Sequence, residues 1–220
     1  MPNKLITIIL IFATICFSVI AINTAPEKNY SSVANSLSIG FVVSAMFYFM
    51  VVYLPEKQKR NLIRKSLKRQ YRQFKLSCID IFLIMSKSQR YPNREMLLDQ
   101  KEFRRYFKNN VSTNQERWDS VANGLQSNQV YLQEIIYELR MLNEEIRFVK
   151  SSIDIHDEET FVFFNRLSQI ILKIESTQPE YDDVKSFCRF LWELFTGWNL
   201  VDGYKDTDFI SDMIEKLNKT

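Results

Sequence analysis

Residues 33–75 read VANSLSIGFVVSAMFYFMVVYLPEKQKRNLIRKSLKRQYRQFK, and the change of character at Pro55 decides how the chain is organised. Ahead of Pro55 the stretch carries no charged side chain. Behind it follow Lys57, Lys59, Arg60, Arg64, Lys65, Lys68, Arg69, Arg72 and Lys75. An uncharged run from Val33 to Leu54 matches the length needed to cross the hydrocarbon core, about 20 helical residues. It reads as a transmembrane helix, with Ser31 or Ser32 available to cap its first turn.

Working back toward the N-terminus, LITIILIFATICFSVIAI from Leu5 to Ile22 is also uncharged and reads as the first span, with residues 33–54 as the second. A secretory signal peptide is the competing reading, because Lys4 supplies a basic start; the apolar run is long for one, and no small-residue cleavage site follows. Between the spans lies only the short polar stretch NTAPEKNYSS. Residues 1–54 therefore form a two-helix transmembrane hairpin by sequence. Lys and Arg near a membrane end stay cytoplasmic. The basic residues after Leu54 outnumber the single Lys28 of the turn, so both termini are expected in the cytoplasm.

A basic segment directly cytoplasmic of a membrane helix meets anionic headgroups, each basic side chain contributing about 1 kcal/mol near the surface. The expected membrane-surface residues are Lys57, Lys59, Arg60, Arg64, Lys65, Lys68, Arg69 and Arg72, with membrane lipids as partner. Two alternatives stay open. Tyr71 and Phe74 among the cations could stack bases beside phosphate contacts, or the cations could coat a solvated helix face. Ile63, Leu67, Tyr71, Phe74, Cys78, Ile81 and Met85 recur at steps of three and four, which predicts one basic helix with an apolar stripe ending near Ser86. Pro55 suits its first turn, or a kink. Residues 55–88 form this juxtamembrane segment.

Inside the second span Ser36, Gly40 and Ser44 recur at every fourth position and let another helix approach closely. That helix is either the first span of the same chain or a second copy. No ionisable side chain lies inside either span, so the sequence offers neither a proton relay nor a charged selectivity ring.

Residues 89–220 read as a cytoplasmic helical domain. Asp99 starts a short helix, and Thr113 with Glu116 reads as a capping box. Trp118, Val121, Leu125, Asn128, Leu132, Ile135, Leu139, Leu142, Ile146, Val149 and Ile153 then alternate steps of three and four, predicting one long heptad-patterned helix. Polar Asn128 would set register or oligomer state in that seam. The seam is covered either by later helices of the same chain, with Ile136 and Met141 widening it, or by another copy in a homo-oligomer. Gly124 costs about 1 kcal/mol relative to Ala in such a helix, which packing must offset. Further helices follow: one with Asp157, Glu158 and Glu159 at its N-terminus, one opened by Pro179 and stopped by Gly197, and a last amphipathic one. Trp198 and Tyr204 in the GWNLVDGY loop either cap a core or line a ligand site.

No catalytic constellation emerges. His156 is the only histidine and lacks a ligand cluster, so neither a metal nor a cofactor is expected. P-loop, GxGxxG, HExxH and GxSxG patterns are absent, and an enzyme is not expected. Cys16, Cys78 and Cys188 suggest no disulfide. The fold class expected is an all-α membrane protein, a hairpin followed by a cytoplasmic helical bundle.

Two N-terminal membrane helices, the basic segment YLPEKQKRNLIRKSLKRQYRQFK and a small helical domain without catalytic residues resemble, in layout, bacterial two-transmembrane effectors of antiphage defence, including retron-associated ones. The resemblance implies a multi-pass protein of the cell inner membrane. It also implies a cytoplasmic domain held inactive by a regulatory protein or ribonucleoprotein partner, and membrane damage by self-associated hairpins after release. An adaptor or scaffold that merely anchors its helical domain is the alternative, and a channel subunit a third.

Overall fold

The computed structural model describes residues 4–23, 29–86, 93–112, 115–175, 180–201, 203–205 and 207–217. The chain is mostly helical and divides into two compact units, residues 1–63 and 64–219. The division falls inside the basic helix rather than at Pro55, because from Leu67 onward that helix is core.

In the first unit α1 (Lys4–Asn23) and α2 (Asn29–Tyr48) are followed by a π-helical segment, Phe49–Tyr53. α2 begins ahead of the expected Val33 and takes Ser31 and Ser32 into the helix. The π segment has a covalent cause. Pro55 has no N–H for the carbonyl of Val51, and its ring crowds that carbonyl. The backbone widens one turn earlier, where the N–H of Leu54 bonds back to the carbonyl of Phe49. Pro55 thus sits in the first turn of α3 (Leu54–Met85). The uninterrupted helical run Asn35–Met85 contains a window of mean hydropathy 2.1, long and apolar enough to cross a membrane. The apolar helix Ile11–Ile20 within α1 is shorter.

The second unit is built around α3. Its predicted stripe is buried: Leu67, Tyr71, Phe74, Cys78 and Ile81 are all nearly inaccessible to solvent. Around it stand α4 (Gln100–Lys108), α5 (Arg117–Ser127), α6 (Gln129–Ser152), α7 (Glu158–Ile174), α8 (Tyr181–Thr196) and α9 (Phe209–Lys216). Phe82 of α3 is the hub of an aromatic cluster, with ring centroids 5.3 Å from Trp118 and from Phe195, and 6.2 Å from Phe103. Such edge-to-face pairs add to the large apolar area each ring buries. Helix starts follow the acidic caps seen in the sequence. Asp99 accepts from the Lys101 and Glu102 amides at 2.9 and 3.0 Å, and Asp157 from the Thr160 amide at 2.9 Å.

Three expectations are corrected. The long heptad helix is two helices, broken at Asn128. That residue is exposed and caps α6, its side-chain oxygen accepting from the Val130 amide at 3.0 Å. An Asn that satisfies a free amide at a helix start outcompetes a helical interior position. Met141 does not widen the buried stripe; it is 41% exposed, whereas Ile136 is buried. Two short antiparallel ladders occur in a chain read as all helix: β1 (Asn110–Ser112) with β2 (Gln115–Glu116), and β3 (Trp198–Asn199) with β4 (Gly203–Tyr204). Thr113 of the expected capping box and Pro179 lie outside the described residues. At the start of α5 it is Asp119 that accepts from the Glu116 amide, at 3.1 Å.

Gly197 closes α8 in the left-handed conformation (φ +66), as its position in the sequence implies. Gly124 is explained by proximity: a Cβ there would lie 3.0 Å from Cγ of Met85, so α5 approaches α3 closely at that point.

Candidate functional site

The small-residue face of α2 was open to two occupants, and the geometry separates them. α1 meets α2 elsewhere. Ser38 is buried, and the Phe17 and Phe41 rings lie 4.6 Å apart. Ser36, Gly40 and Ser44 are exposed, and a Cβ built on Gly40 would meet no atom within 4 Å. The face is therefore not consumed by α1. Ser38 and Ala45, one heptad apart, are the small residues on the α1 side; a reading restricted to fourth positions passes over them.

The basic helix splits by face. Arg60 is 3% exposed and its Nε lies 3.3 Å from a carboxylate oxygen of Glu56. Arg64 pairs with Glu215, and Lys68 reaches the same carboxylate at 2.6 Å. Arg72 pairs with Glu95 at 2.8 Å. Lys75 is buried; its Nζ donates to Asp208 at 2.8 Å and to the Leu98 carbonyl at 3.1 Å. Arg64 and Lys75 are thus drawn onto the C-terminal helix and its cap, whereas Lys68 reaches Glu215 while its side chain stays 62% exposed. Lys57, Lys59, Lys65 and Arg69 remain exposed, and the last three carry no ion pair among the described residues. The sequence could not foretell this division, because Glu215 and Asp208 lie more than a hundred residues away. The helical period carried one partial signal, since Arg60, Arg64 and Lys75 neighbour the apolar stripe, but it names no partner.

Asp208 is the centre of this network. The Tyr71 hydroxyl donates to it, 3.0 Å from both oxygens, and Asp208 itself caps α9 by accepting from the Ser211 amide at 3.2 Å. Burial, reinforced by the Asp208 carboxylate, pushes the Tyr71 phenol well above its usual range. Burial also raises the thiols of Cys78 and Cys188, the latter to about 12, so both stay protonated and are poor nucleophiles at neutral pH.

The heptad seam is spent inside the bundle. Val121, Leu125, Leu132, Ile135, Leu139, Leu142, Ile146 and Val149 are fully buried, so the seam does not present itself to a second copy. Trp198 and Tyr204 pair across β3 and β4. The Arg104 and Lys108 cations each lie 4.8 Å from the Tyr204 ring, and Arg189 lies 5.7 Å from that of Trp198. Beside this surface, a cleft of about 500 Å³ between α5 and α8 is lined by Trp118, Trp192, Tyr181 and Arg189 among others. His156 lies exposed in the loop ahead of α7. Among the described residues no group of three His, Cys, Asp or Glu is placed to hold a metal.

The chain matches no protein-family model, no curated protein and no solved structure.

Proposed function

We propose that this protein is a non-enzymatic, membrane-anchored effector of bacterial antiviral defence of the abortive-infection type. Its α1 and α2 form a hairpin in the inner membrane with both termini cytoplasmic, by the excess of Lys and Arg after Leu54. A regulatory protein or ribonucleoprotein partner holds the helical domain inactive. Once released, copies associate through α2 and perturb the bilayer. The observation that carries this reading is the exposed Ser36, Gly40 and Ser44 face, left open because α1 packs on the Ser38 side. In lipid, where apolar side chains gain nothing by leaving hydrocarbon, such small-residue faces are the means by which helices approach and associate.

The decisive experiment is controlled expression with a potential-sensitive dye, comparing the intact chain with a triple Ser36, Gly40 and Ser44 to Leu variant. The space around Gly40 accommodates the added side chain within one copy, so loss of depolarisation in an inserted variant points to lost association. An intact chain that never depolarises cells, alone or with its neighbouring genes triggered, refutes the effector reading.

A second reading is supported by the aromatic cleft between α5 and α8: a membrane-anchored scaffold that recruits a soluble partner. It requires that an unrelated hairpin substitute for α1 and α2 without loss of function.

A further inference from the structure

A groove of about 360 Å³ lies between α1 and the C-terminal end of α2 with the π segment. Its walls are Ile11 and Ile15 on one side, and Met46, Phe49 and Met50 on the other. Thr14, Tyr48 and Tyr53 supply the only hydroxyls of the lining. The wider π turn forced by Pro55 lies at this groove, and π segments often mark functional positions within helices. The Phe49 and Tyr53 rings are stacked, with centroids 5.2 Å apart, and form one continuous wall. One turn beyond, the Lys57 ammonium lies 5.9 Å from the Tyr53 ring. The groove thus combines an apolar slot with a cation beyond one end of its aromatic wall.

We propose that this groove binds one anionic phospholipid, an acyl chain lying along Phe49 and Met50 and the headgroup phosphate meeting Lys57. Three observations favour that occupant. The volume is at the small end for ligand sites and suits a single chain. The rim residues Ile11, Ile15, Met46 and Met50 are all more than half exposed, so the slot is bordered by bare apolar side chains rather than by polar ones. The charge of Lys57 favours a headgroup of net negative charge over a zwitterionic one, whose own ammonium offsets its phosphate, and anionic lipids concentrate in the cytoplasmic leaflet. Lipid occupancy would wedge α1 against α2 at the end nearest the basic helix. This assignment rests on the membrane placement proposed above.

The test uses the full chain in proteoliposomes containing phosphatidylglycerol and phosphatidylcholine, each in turn carrying a photoreactive acyl chain. Carbonate extraction first establishes insertion. Crosslinked peptides are then mapped. Phosphatidylglycerol should label residues 11–15 and 46–53 several-fold more than phosphatidylcholine. Lys57→Gln should equalise the two lipids. Ala45→Phe, which fills the slot, should abolish labelling there by both while leaving Val43 labelled. Equal labelling of the two lipids in the intact chain overturns the proposal, as does the absence of labelling at these residues while Val43 is labelled. A chain that carbonate extracts overturns the membrane reading as well, whereas an inserted chain without lipid preference overturns the lipid site alone.

Discussion

Replacing Asp208 by Asn isolates the buried pair that ties the C-terminal helix to α3. The substitution keeps the helix cap, since Asn caps as well as Asp, and keeps the volume. It removes the negative charge that faces Lys75 at 2.8 Å, where the side chains are only 7% and 16% exposed. Breaking a buried pair by removing one partner leaves an uncompensated charge and costs about 3–5 kcal/mol. The remaining Leu98 carbonyl and the cation–π contact of Lys75 with Tyr71, 5.3 Å from ring centroid to Nζ, offset part of this and place the expectation at the low end. A domain of this size has about 5–15 kcal/mol in total, and each kcal/mol moves the midpoint by about 2–4 °C. Asp208→Asn should therefore lower Tm by about 10 °C, read by intrinsic fluorescence of Trp118 and Trp192 in the detergent-solubilised full chain. The double variant Lys75→Met with Asp208→Asn should recover most of that loss, because no unpaired charge remains. A drop of under 3 °C for the single variant would refute the reasoning, and would mean that water reaches the pair and screens it.

Two further outcomes follow from named contacts. Gly197→Ala puts a Cβ on a backbone at φ +66, and the Gln100 amide it meets at 2.5 Å must swing aside, so the left-handed strain should cost about 1–2 kcal/mol by thermal unfolding. The hydrogen bond from Lys68 holds the Glu215 carboxyl below its ordinary value of 4.5, with burial opposing and Arg64 reinforcing it. A lowered folded-state pKa contributes stability above the unfolded value and loses it as pH falls through the folded one. The Tm gap between the intact chain and Glu215→Gln should thus be full at pH 7 and shrink progressively as pH falls below about 4.5, and a gap that does not shrink in acid would show that charge is not its source.

Local chemistry made much of this protein legible in its sequence. Hydropathy and length marked the apolar segments, because backbone polar groups and charges are costly in hydrocarbon. The three- and four-residue period picked out the buried stripe from Leu67 to Ile81 and the seam from Val121 to Val149, because a helix returns to the same face at that spacing. Asp99, Asp157 and Gly197 announced helix ends, since the free amides and carbonyls of a terminus need local partners. Three matters were decided only by tertiary structure, since each depends on residues distant in sequence. The seam could not name its partner, and the fold covers it with its own helices. The basic run could not reveal that Glu215 and Asp208 claim Arg64, Lys68 and Lys75, because ion pairs form wherever the chain brings opposite charges together. The α2 stripe could not say which side α1 takes, and with α1 packed at Ser38 and Phe41, the Ser36, Gly40 and Ser44 face stays exposed.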